Sequence, residues 1–162
     1  MPAGDVYTVL HKNIAVSTAI TIIQLKAGAN NAIEIIRASL TQRGSTTSAQ
    51  EDIALIRKSA AATVTAAIDS PGSNTSTLVR RDPNQSAPSA TLSTSGTGIT
   101  ASAEGTDTET VLREAFNVLN GWLYLPTPEE RIYVPPAGII GLKFLTAPAS
   151  QNWDAEVVFM EK

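Results

Sequence analysis

"FNVLNGWLYLPTPEERIYVPPAGIIGLKF", residues 116–144, decides the fold class. It carries Trp122, Tyr124 and Tyr133, one of the two tryptophans and two of the three tyrosines in the chain. β-branched and aromatic residues are enriched on pleated, half-buried surfaces, so 121–125, 131–134 and 138–145 read as three short strands. "PTPEE" (126–130) separates the first two, because proline donates no ladder hydrogen bond and marks a turn. The stretch contains no histidine and no cysteine. It reads as packed sheet, with little chemistry on it.

Toward the C-terminus, "WDAEVVFMEK" (153–162) alternates Trp153, Ala155, Val157 and Phe159 against Asp154, Glu156, Val158 and Met160. That period of two is the signature of a strand. Toward the N-terminus, 17–28 and 32–43 read as strands by their isoleucine content and their closing turns. "QEDIALIRKS" (50–59) follows a short polar loop, a spacing that predicts an antiparallel pair with 32–43. Residues 61–69 could form a further strand. "TDTETVLREAFNVLNG" (106–121) is the best helix candidate. Thr106 and Glu109 have capping-box spacing, Leu112, Ala115, Phe116 and Leu119 form a stripe, and Gly121 could close it. The density of strand formers limits it to a turn or one short helix.

Residues 69–107 change character. Ser, Thr, Gly, Ala, Pro and Asn fill 28 of 39 positions, without one aromatic. Such a segment buries too little apolar surface to offset its ordering entropy. It reads as a loop-rich excursion, and a loop of this length calls for a partner or a function. With seven to nine strands expected, the chain is predicted to be all-β: a single antiparallel β-sandwich domain over 1–162, jelly-roll-like, with 1–13 a candidate N-terminal arm.

Composition narrows the function. At 162 residues the chain fits one domain able to bury about 70% of its extended surface. Its net charge of −3 lacks the clustered Lys and Arg that displace counterions from nucleic acid, and it does not suit an anionic membrane. No apolar window approaches a membrane span, and no signal peptide is legible in "MPAGDVYTVLHKN". The absence of cysteine removes disulfides, thiolate metal sites and cysteine nucleophiles.

The remaining polar groups read as structure. His11, the one histidine, reads as a surface side chain, since catalysis needs a nucleophile or carboxylate beside it. Glu51–Asp52 and Glu129–Glu130 are adjacent pairs, which strands send to opposite faces, so neither is a ready catalytic dyad. Asp69, Asp82 and Asp107 lack the spacing of a calcium loop. "SGTGIT" (95–100) lacks the lysine of a phosphate-binding loop. No catalytic residue, cofactor or metal is therefore expected. Arg80 and Arg81 are the candidate contact residues within the excursion. Trp122, Tyr124, Trp153 and Phe159 are read as core or interface aromatics, with Trp122 and Tyr124 on one strand face where they could also stack on a sugar ring.

The stretches 39–58, 62–66, 116–143 and 155–162 together resemble small virion structural proteins of tailed bacteriophages. The resemblance covers more than half of the chain, omits the excursion, and includes no catalytic signature. It implies a non-enzymatic decoration, or cement, protein on the exterior of the capsid. It further implies a β-sandwich fold, the major capsid protein as partner, and self-association as a homotrimer. The rival reading is a head-fibre or tail-associated module that binds host surface glycan.

Overall fold

The computed structural model describes residues 4–44, 47–149 and 151–162. Twelve β-strands form among them: β1 (Val6–Val16), β2 (Thr21–Lys26), β3 (Ile33–Arg43), β4 (Gln50–Ala60), β5 (Thr63–Ala66), β6 (Leu78–Arg80), β7 (Gly98–Ala103), β8 (Thr106–Asn117), β9 (Trp122–Tyr124), β10 (Ile132–Val134), β11 (Ile139–Phe144) and β12 (Gln151–Glu161). A single 3₁₀ turn, Pro128–Glu130, lies between β9 and β10.

The strands make two sheets. One runs β10-β3-β12-β1-β6, with β9 also on β3, and the other β5-β7-β2-β11-β4-β8. The pairing is nested. β1 lies against β12, β2 against β11, β3 against β10 and β9, and β4 against β8, all antiparallel. Successive pairs alternate between the sheets, as in one long hairpin rolled around a common core. That is the jelly-roll arrangement of an all-β antiparallel sandwich. β5, β6 and β7 belong to an insertion at the hairpin tip, between β4 and β8. They extend both sheets, β6 beside β1 and β7 beside β2.

The core lies between the sheets. Trp153, Phe144 and Phe159 are fully buried, and Tyr7 and Phe159 stack at 5.5 Å between ring centroids. Phe144 meets Trp153 at 5.0 Å and Phe116 meets it edge-on at 6.0 Å. Trp153 and Phe159 are thus core, on the face that the alternation of β12 assigned them.

Three expectations are corrected. Of the expected arm over 1–13, residues 1–3 lie outside the described residues, and residues 6–13 are no free arm, because β1 runs between β12 and β6 with Tyr7 and Val9 fully buried. β3 and β4 do not pair: they lie in different sheets, and each strand finds its partners from the C-terminal half of the chain. Residues 106–117 form no helix but the longest strand, β8, paired along β4 with register shifts. The helical spacing arose because an edge strand with a bulge breaks strict alternation. Thr110 and Leu112 face Ile56 and Leu55, so Val111 is the extra residue between them.

The 69–107 segment is loop-rich, and part of it joins the sheets. It contains β6, β7 and the start of β8. Leu78 is fully buried, Ala90 nearly so, and both join the core. Its order comes mainly from polar groups of the sandwich. The buried Glu161 carboxylate accepts the N–H groups of Ser89 (2.9 Å) and Ala90 (2.8 Å). The fully buried Gln24 side chain accepts the Ala62 N–H at 2.8 Å and donates to the Gly96 carbonyl at 2.7 Å.

Candidate interaction surface

β8 and β9–β10 are the terminal strands of their respective sheets on the same flank of the sandwich. A groove of about 510 Å³ opens between them, lined by Val111, Leu112, Leu123, Leu125, Pro126 and Ile132 and rimmed by Glu114 and Glu130. Leu123 and Leu125 are 58% and 66% exposed. These leucines leave apolar side chains in solvent at an open sheet edge.

Local sequence explains the flank. β9 alternates Trp122 inward and Leu123 outward. Gly121, at φ +69°, takes the left-handed conformation that turns the chain from β8 into β9. Trp122 is 6% exposed, and its indole N–H donates to the Glu114 carboxylate, tying the rim of one sheet to the rim of the other. The Tyr124 hydroxyl donates to the Glu130 carbonyl at 3.0 Å, and its ring packs on the core. Burial pushes the Tyr124 hydroxyl up from its ordinary range. Both aromatics are therefore framework of the flank, and the leucines Leu123 and Leu125, which the sequence reading passed over, are its exposed apolar groups. The readable signal was "WLYL": if Trp122 and Tyr124 face inward, Leu123 and Leu125 must face out.

The other candidate residues are dispersed. The Arg80 guanidinium donates to Asp69 (2.7 Å) and to the Gln85 carbonyl (2.8 Å), which braces the insertion internally. Arg81, next to it, is exposed, and only its backbone is engaged, by Val6. Asp82 accepts the Asn84 N–H in a turn, and Asp107 lies elsewhere, so the three aspartates form no shared site. Glu51 accepts the Ala149 N–H (3.1 Å), while Asp52 pairs with Arg113 (2.8 Å). Glu129 and Glu130 sit in the exposed 3₁₀ turn. His11 is corrected from a surface group: it is half-buried and hydrogen-bonded to the Thr100 hydroxyl of β7, which closes the sandwich edge between β1 and the insertion. Burial lowers its pKa to about 4, against the opposing pull of Asp154.

One further constellation was not read from the sequence. Inward residues of β4 are Ile53 and Leu55; the opposite face carries Ala54, Ile56 and Lys58, partly covered by the insertion. There the Lys58 side chain is 0% exposed, with Nζ 2.6 Å from Asp107 and 3.0 Å from Glu104. Lys143 reaches the same carboxylates at 2.7 and 3.4 Å, and Thr21 donates its N–H and hydroxyl to Glu104. Burial pushes both carboxyls up, but the bonds from Thr21 and Lys58 to Glu104, and from Lys143 and Lys58 to Asp107, outweigh it and hold both below the usual range. Gly141 provides the seat: a Cβ there would lie 3.0 Å from Lys58 Cε and from the Thr21 methyl. A glycine inside a strand signals such a close approach, and this one was visible in "GIIGLKF".

No family model, no curated protein and no solved structure matches this chain.

Proposed function

We propose that this chain is a non-enzymatic structural protein of a tailed-bacteriophage virion, a decoration protein that binds the capsid exterior and bridges neighbouring subunits of the major capsid protein. The observation that carries the reading is the flank of β8 and β9–β10, where Leu123 and Leu125 are exposed along an open groove. Cementing needs a rigid body with an association face. The jelly roll supplies the first and this flank the second. The resemblance read from 39–58, 62–66, 116–143 and 155–162 to virion structural proteins supplies the context of this reading, and with it the expectation of a homotrimer. About 800 Å² buried per partner, repeated over the lattice, is enough for specific attachment, and contact with several subunits raises the effective concentration. Arg81 remains a candidate contact on the opposite edge. Glycan binding asked for Trp122 and Tyr124 exposed together, and Trp122 is buried with its N–H engaged.

The test is co-sedimentation with capsids lacking the protein. Saturation at a copy number set by the capsid lattice is the expected result. No binding, or a few copies at one vertex, would overturn it. The Leu123→Asp, Leu125→Asp double variant should lose at least tenfold in affinity while melting within about 0.5 kcal/mol of the parent, as exposed substitutions do. Undiminished attachment of that variant would move the interface off this flank.

A further inference from the structure

Lys58 and Asp107 are direct partners across the β4–β8 ladder. The Lys58 side chain is closed to solvent, Nζ touches the Asp107 carboxylate at 2.6 Å, and the Glu104 carboxylate touches the same nitrogen at 3.0 Å. A primary amine is thus held against one carboxyl group, with a second carboxylate placed to move protons. Alignment of this kind is worth a very large effective concentration, and a positioned carboxylate is an ordinary proton carrier.

We propose that Lys58 and Asp107 condense into an amide cross-link between β4 and β8, with Glu104 carrying the protons. The step balances without any co-reactant. The Lys58 ammonium passes one proton through Glu104 to Asp107, and the freed lone pair on Nζ attacks Cγ of the neutral Asp107 carboxyl, forming the C–N bond. The protonated oxygen leaves Cγ as water, taking a second proton from Nζ by way of Glu104. The amide keeps the third. One positive and one negative charge disappear together, which removes an ammonium buried without solvent, an arrangement that is costly to maintain. Lys143 is left 3.4 Å from Glu104, so the residual pair is neutral. The two lysines are distinguishable. Lys143 keeps 15% of its side chain in solvent and sits farther from Glu104 than Lys58 does. Gly141 is the positioning residue, because its missing Cβ is what lets Lys58 lie flat over the sheet. The bond would fasten the return of the insertion to the sandwich covalently, whatever the protein attaches to.

The experiment is intact-mass and tandem mass spectrometry of the purified full-length chain. The expected result is a mass one water below the sequence, with fragments joined through Lys58 and Asp107. Asp107→Asn should reach the same final mass by releasing ammonia instead of water, and Lys58→Arg should show no cross-link. Glu104→Gln should stay at full mass through the same incubation, with an unchanged circular dichroism spectrum. A wild-type chain at full sequence mass overturns the proposal, whether or not any variant folds. So does a bond mapped to Lys143. Cross-linking of Glu104→Gln at the parental rate would remove Glu104 from the reaction. None of these readouts depends on capsid binding.

Discussion

Around Trp153, between the sheets, order comes from apolar contact: Phe144, Phe116 and the aliphatic side chains of both sheets close on one indole. In the insertion between β4 and β8, order comes largely from a few polar groups, chiefly the buried Gln24 and Glu161 and the part-buried pair of Arg80 with Asp69. The first mechanism scales with area removed from water and is indifferent to direction. The second is directional, and each bond matters because a buried group left unpaired bears its whole desolvation cost. A segment built of Ser, Thr, Gly and Ala can therefore be ordered with only a small apolar cluster of its own, Ala62, Val64 and Ala101, provided that the sandwich presents the right acceptors and donors to its backbone.

The comparison can be broken most forcefully at Trp153. Trp153→Ala removes the centre of the interior and should cost about 3–5 kcal/mol, read as a lower midpoint in chemical denaturation, with both sheets lost together. A loss below 1 kcal/mol would mean that the interior does not depend on this contact.

Glu161→Ala tests the other region. It strips the acceptors from the N–H groups of Ser89 and Ala90 and should cost about 2 kcal/mol, in the range for hydrogen bonds to a charged group. The signature should be local. Amide exchange and proteolysis should rise within 69–97 before the sandwich melts. Uniform loss across the molecule would show that insertion and sandwich are one cooperative unit.

The smallest effect belongs to His11, where the two regions meet. Its pKa is lowered by burial from 6.5 to about 4, so the unfolded chain takes up the proton first. Stability is then fully present above pH 6.5 and falls as pH drops from 6.5 to about 4. His11→Gln, which cannot titrate, should flatten that part of the stability–pH profile. The depressed carboxyls of Glu104, Asp107 and Asp154 would still erode stability at lower pH. An unchanged slope in the variant would free His11 of the role.

Much of the fold was legible because β-alternation is a local property. The alternation of β12 assigned Trp153 and Phe159 to the interior, and the prolines of 126–136 placed the breaks between β9, β10 and β11. Where the signal is ambiguous locally, the reading went astray. The stripe Leu112, Phe116, Leu119 fits a helix as well as a bulged edge strand, and only pairing with β4 selects between them. "VYTVLHKN" carries its own alternation, but its position at the terminus suggested an arm, and only β12, far along the chain, makes it an inner strand.

The candidate sites follow the same division. By itself the sequence determined the all-β class, the sandwich aromatics and the polar character of 69–107, because these rest on composition and on period two within a few residues. Which strands pair, which leucines stay in solvent, and the meeting of Lys58 with Glu104, Asp107, Lys143 and Gly141 were decided by the tertiary structure alone. Those residues lie on separate strands and loops, and contacts of that range are set by how the two sheets close on each other, which no local pattern encodes.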